Sequence, residues 1–173
     1  IMAYAGICSG QNLQPNSDAY FHTISYTAIF NTVNTVSVCG TTSPTGNTPP
    51  TIAALTPMTI PERTPFQLTA VASDTDIGDV LTYTWENTDL GARSAPSTTG
   101  DNGTAPLFRS FNPTTSPTRI FPSLRYILNN ANVPPATITL PPAGGTYVPG
   151  EILPNPASGT RVMNFRVTVR DNR

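Results

Sequence analysis

The side chains able to do chemistry are few, and their spacing limits what they can do. The chain has one histidine, His22. No cluster of histidines can therefore gather a zinc ion, and a Ser–His–Asp or Cys–His centre would have to be assembled around that single ring. Cys8 and Cys39 stand far apart with no C-x-x-C spacing. They are too few for a disulfide scaffold and enough for one bridge, or else they are two separate buried thiols. No glycine-rich phosphate loop follows a strand pattern, and no paired carboxylates stand out for acid–base work. We expect this chain alone to catalyse nothing.

One stretch has metal-binding letters. Ser73-Asp-Thr-Asp-Ile-Gly-Asp79 places Asp74, Asp76 and Asp79 two and three positions apart. Calcium takes several hard oxygen ligands, and carboxylates at this spacing can converge within a loop. The same letters suit a plain turn, because aspartate bonds to nearby backbone amides. Asn102-Gly-Thr104 matches a glycosylation acceptor, a motif frequent by chance and meaningless in a bacterial protein. Arg109, Arg119, Arg125, Arg161, Arg166 and Arg170 read as bridges to acidic residues or backbone carbonyls between strands, with surface salt bridges as the default.

The elements that would position these residues change character near Thr41. Before it lies the one convincing helix, capped by Ser17 or Asp18, with Phe21, Ile24, Ala28 and Phe30 near helical spacing and His22 inside it. The helix is about three turns long and needs packing partners the chain does not obviously contain. Residues 41–50 are polar and turn-forming, a linker. After it the period becomes two. Phe66–Ala72, Val80–Glu86 and the stripe Met163, Phe165, Val167, Val169 read as half-buried antiparallel strands, with Leu107–Phe111 and Ala136–Leu140 as further candidates. Short strands between Pro/Gly turns predict a mainly β chain, an immunoglobulin-like β-sandwich with Trp85 as its core tryptophan.

Composition closes off other classes. Net charge is −1, charged residues make up 11% and all nine basic residues are arginine, which leaves no footprint for nucleic acid. No apolar run is long enough to span a bilayer. The absence of lysine, with heavy Thr, Asn and Ser usage, suits a secreted or cell-surface protein, where a bridge persists. Ile1 is not a natural start, and the strand-like end at Arg170 reads as the interior of a longer polypeptide.

Ile1-Met-Ala-Tyr-Ala-Gly-Ile-Cys8 resembles the methionine turn of a metzincin, a zinc metalloprotease of the reprolysin-like branch, and Cys8–Ser25 is similar to the segment after that turn in secreted bacterial members. The resemblance implies that Met2 floors the zinc site and that Tyr4, Ala5 and Gly6 line the substrate-pocket wall. It also makes the helix after Ser17 the last of the catalytic domain, stapled to the turn by a Cys8–Cys39 disulfide. The family's H-E-x-x-H-x-x-G-x-x-H ligand motif is not in this chain. Asn47-Thr-Pro-Pro-Thr-Ile52 and Ala72–Trp85 resemble cadherin-like or polycystic-kidney-disease-like Ig modules of secreted bacterial enzymes. Phe108–Pro122 and Asn164–Asn172 are similar to segments of the same bacterial group.

The resulting expectation has three parts: residues 1–40 as the C-terminal remnant of a metzincin catalytic domain, 41–50 as linker, and 51–173 as an Ig-like β-sandwich lacking its final strand. The chain would be a non-catalytic fragment of a secreted zinc metalloendopeptidase, a hydrolase of peptide bonds. Zinc would belong to the parent, and calcium is the cofactor the Asp loop admits. Expected partners are the upstream catalytic domain, the parent's protein substrates, and a second copy pairing through an open edge strand. The rival readings are a glycan- or protein-binding Ig-like module and a mechanical spacer.

Overall fold

In the computed structural model, residues 16–35, 40–41, 43–91, 101–128 and 151–173 are described, together with the backbone of 138–140 and 145–147. Helix α1 spans Thr23–Thr35 and is followed by β1 (Thr51–Ile52), β2 (Phe66–Thr69), β3 (Ala72–Ser73), β4 (Thr82–Asn87) and β5 (Thr118–Phe121). The short helix α2 (Leu124–Ile127) precedes β6 (Ile138–Leu140), β7 (Gly145–Tyr147) and β8 (Phe165–Arg170). Strand outweighs helix, 20% against 14%, so the class is mainly β. Among the described residues the strands pair antiparallel in twos: β1 with β3, β2 with β5, β4 with β8, β6 with β7.

Alternation explains the core. Phe66 and Phe121 face each other across β2 and β5, and Trp85 and Val167 across β4 and β8. Phe66, Phe121 and Trp85 join Tyr83, Leu107 and Phe108 in one cluster, with Phe165, Val167 and Val169 packed against it. Phe121 is fully buried, its ring 5.2 Å from those of Phe66 and Phe108 and 4.9 Å from that of Phe165. Burying one such side chain is worth about 1.5–3 kcal/mol. Trp85 satisfies its indole N–H on the Pro117 carbonyl at 3.1 Å, which lets a polar atom enter this core without loss.

The predicted strands at Val80–Glu86 and Met163–Val169 correspond to β4 and β8, but three local readings need correction. The Phe66–Ala72 run is not one strand: after Thr69 the chain leaves β5 and pairs Ala72 with Ile52 of β1. Leu107–Phe111 is irregular, held by Leu107 N–H donating to Asn87 Oδ1 (2.8 Å) and Leu107 C=O accepting from Ile152 N–H (3.3 Å). The strand that does pair with β2 is Thr118–Phe121, whose pattern is short and hemmed in by Pro117 and Pro122.

The arginines also depart from expectation. Arg161 is buried between Asp89 (2.8 Å) and Asp101 (2.5 Å), and Arg119 pairs with the fully buried Glu151. Arg161 ties the segments at Asp89 and Asp101 together, and Arg119 ties Glu151 to β5.

Helix α1 begins at Thr23, later than a cap at Ser17 or Asp18 would put it. The Tyr26 N–H closes its first turn on the His22 carbonyl (2.9 Å), so His22 precedes the helix instead of sitting within it. No described strand packs along α1. Ile24 and Val33 are 61% and 60% exposed, and Phe21, Tyr26, Ile29 and Phe30 are about half exposed or more. No helix among the described residues is long and apolar enough to cross a membrane.

Candidate functional site

Two polar constellations stand apart from the core. The first is an acidic corner built on the turn after β3. Asp74 Oδ1 accepts the Asp76 N–H at 2.8 Å, the local bond that favours aspartate in turns. Gly78, at φ 96°, takes a left-handed conformation that a side chain would resist. The tightened turn brings one carboxylate oxygen from each of Asp74, Asp76 and Asp79 within 4.8 Å of one another.

Residues that sequence spacing did not single out complete this corner. From the segment read as a free linker, Thr48 N–H donates to Asp76 Oδ2 and the Asn47 amide donates to Asp171 Oδ2, both at 2.8 Å. The bond from Asn47 holds the Asp171 carboxyl below its ordinary range. Arg173 lies against Asp79, its Nε 2.7 and 2.9 Å from the two oxygens, and the contact raises the guanidinium pKa. Asn47 Oδ1 and Asp74 Oδ2 are buried with no hydrogen-bond partner. Asp74 Oδ2, an orphaned oxygen of one of the three converging carboxylates, and the orphaned Asn47 Oδ1 are hard oxygen donors of the kind calcium takes. Arg173 already supplies counter-charge at one side. Only long-range contacts between the linker, the turn and the chain's last residues assemble this set, so no local motif contains it.

The second constellation joins α1 to the β4–β8 sheet. Glu86 projects from β4 on the face opposite Trp85 and is 8% exposed. One carboxylate oxygen accepts from the Thr23 N–H (2.7 Å) and the Thr23 hydroxyl, and the other meets His22 Nδ1 at 2.7 Å. An acidic side chain here answers the orphan amides and positive end of a helix N-terminus, although it comes from 63 residues away. On the same face Thr23 Oγ1 lies 3.4 Å from Thr168 Oγ1, and Arg170 donates to Thr84 Oγ1 (3.0 Å) and the Phe21 carbonyl (3.4 Å). The cover leaves Thr84 at 1% exposure, so β4 is buried on both faces and not on one. The hydrogen bond from Glu86 raises the His22 pKa. Burial pushes Glu86 up, but its bonds to His22 and Thr23 outweigh that and leave it below its usual value.

A cleft of about 460 Å³ opens beside β4 and β5, lined by Tyr83, Phe111, Thr118 and Arg119 among others. Arg109, Arg119 and Arg125 set their guanidinium groups 5.0, 4.7 and 5.6 Å from the Phe111 ring centre. Arg119 is fastened by the Trp85 carbonyl at 2.9 Å as well as by Glu151.

Asn102 uses its side-chain oxygen on the Ala105 N–H at 2.8 Å, closing a turn. Met2, Tyr4, Ala5, Gly6, Cys8 and Cys39 lie outside the described residues. His22 is engaged by Glu86 and by Ser110 Oγ at 3.2 Å, and among the described residues it belongs to no group of three His, Cys, Asp or Glu side chains placed to hold a metal ion. No known protein family matches this chain, nor does any curated protein or solved structure.

Proposed function

We propose that this chain is a non-catalytic part of a secreted zinc metalloendopeptidase, in which α1 is the closing helix of the catalytic domain and the β module, an Ig-like sandwich, is the accessory unit beside it. The observation that carries the proposal is α1 itself. Among the described residues the helix is fixed to the β module at its first residues, while Ile24, Ile29, Phe30 and Val33 are exposed. An apolar helix of this length is marginal alone and gains its stability from packing, so a further body of protein is the natural cover for this face. The metzincin-like opening before the helix suggests which body. Zinc would be held by residues outside this chain, and no catalytic step is assigned to any residue within it.

Sequencing the reading frame upstream of Ile1 tests the proposal. The expected result is H-E-x-x-H-x-x-G-x-x-H a short distance before Met2, with zinc-dependent peptide hydrolysis by the encoded protein that a chelator abolishes. A frame without that motif overturns it and leaves a binding or spacer module with a helical leader. The cleft beside Phe111 favours binding within that alternative, since aromatic and hydroxyl-bearing walls are what a glycan or peptide would contact.

A second reading concerns the acidic corner, which we propose as a calcium site held by Asp74, Asp76 and Asp79 with Asn47. It is supported by the buried unpaired oxygens of Asn47 and Asp74.

A further inference from the structure

We infer that Glu86 and His22 form a pH-operated latch that sets how firmly α1 is held against the β module, closed while the imidazole is charged and loosened once it is neutral. Few described contacts make the junction. Glu86 is nearly buried and spends both oxygens on the residues that open the helix, Oε2 on Thr23 and Oε1 on His22. The other described bonds at the junction are Ser110 Oγ with His22 Nδ1 at 3.2 Å and the 3.4 Å contacts of Thr23 with Thr168 and of Arg170 with the Phe21 carbonyl. Beyond the first turn no described strand packs along α1. One carboxylate therefore controls the attachment, and the group whose charge it shares titrates in the physiological range.

Glu86 sets the sign against burial and nearby cations, which act the other way. From β4 the ring faces Glu86, at 2.7 Å. From β8 come Arg170, which reaches the neighbouring Phe21 carbonyl, and Arg166, the cross-strand partner of Glu86. The 101–128 segment supplies Ser110 at 3.2 Å and, next to it, Arg109, while Tyr20 packs edge-on at 5.3 Å and Asp18 lies on the same stretch of chain. Among the described residues Glu86 is the charged group in direct contact with the ring, and that contact favours the protonated ring in the docked helix. Linkage then works in one direction. The attachment is strongest below the ordinary imidazole range and weakens as pH rises through the docked-state titration of His22. At the acid end it fails again when Glu86 takes up its proton. The latch belongs to the junction and holds whatever protein α1 docks on.

The test uses the full chain, labelled with nitrogen-15. The His22 ring protons give its titration, and relaxation of the amides of residues 24–35 gives the docked fraction of α1 between pH 5 and 9 at the ordinary histidine midpoint and either side. The ratio of docked to undocked helix is expected to fall across this range. The factor is the ratio of the imidazole's acid constants in the undocked and docked states. His22→Gln keeps a neutral donor and is expected to flatten the profile while the β4–β8 amides stay unchanged. Glu86→Gln is expected to return His22 to its ordinary titration. An α1 equally ordered at both ends of the range overturns the inference, as does an unaltered pH profile in His22→Gln.

Discussion

Buried charge is where single residues matter most in this protein. The side chain of Arg161 is 3% exposed and holds Asp89 and Asp101, themselves 5% and 0% exposed. It also donates to the Ala105 carbonyl at 3.0 Å. Removing the cation leaves two carboxylates facing each other without water. Arg161→Met is therefore expected to destabilise the chain by about 3–5 kcal/mol, read as a shift of the urea midpoint. Exposed Arg63, bonded to Asn155 at 3.0 Å, is the control: Arg63→Met is expected to change stability by less than about 0.5 kcal/mol. A second residue-scale contrast separates packing from hydrogen bonding at Trp85. Trp85→Phe loses the bond to Pro117 and part of the ring, at a cost of about 1–2 kcal/mol, while Trp85→Ala opens a cavity among Phe66, Phe108 and Phe121 and costs about 3–5 kcal/mol. Equal losses in the two variants would show that the hydrogen bond, and not the ring's volume, is what this position supplies.

At the scale of elements, α1 is the outlier. Its exposed apolar side chains contribute little to the stability of the β module they do not touch. The double change Ile24→Glu, Phe30→Glu is expected to leave the urea midpoint of the β module within about 0.5 kcal/mol of its original stability. The same change is expected to reduce concentration-dependent association in sedimentation. A large loss of stability would mean that the face is covered within this chain. The elements also show what was legible in the sequence. Period-two patterning marked β4 and β8 because each has one clean apolar stripe, Tyr83 and Trp85 on one, Val167 and Val169 on the other. It missed β5, whose Thr118–Phe121 offers a single large inward ring, and it merged β2 with β3, because a strand that changes partners keeps its alternation. The helix was legible in existence but not in its start. Ser17 and Asp18 are good local caps, yet a carboxylate from strand β4 does the capping. No local rule can see that. Of the four residues proposed to hold calcium, Asp74, Asp76 and Asp79 were readable. Asn47 was not, because it belongs to a stretch whose letters say only that the chain turns.

For the molecule as a whole, the acidic corner ties distant parts of the chain together. Asn47 and Thr48 reach it from the segment leading to β1, Asp74 to Asp79 from the turn after β3, and Asp171 and Arg173 from beyond β8. A ligand that binds only this assembled state stabilises the fold by mass action, by about 2.7 kcal/mol at a hundredfold excess over its dissociation constant. Calcium is accordingly expected to raise the unfolding temperature saturably, and magnesium much less, because magnesium demands a regular octahedron and sheds water reluctantly. Asp76→Asn should weaken the response. Arg173 makes a sharper test of the same site. Its guanidinium balances Asp79 without an ion, so it and a bound cation compete for one carboxylate. Arg173→Ala is expected to lower stability in calcium-free buffer and to tighten calcium binding in calorimetry. The two effects have opposite signs because they come from one contact. If the substitution weakens calcium binding instead, Arg173 orders the corner and does not stand in for the ion. If calcium has no effect on either form, the three aspartates are a turn and nothing more.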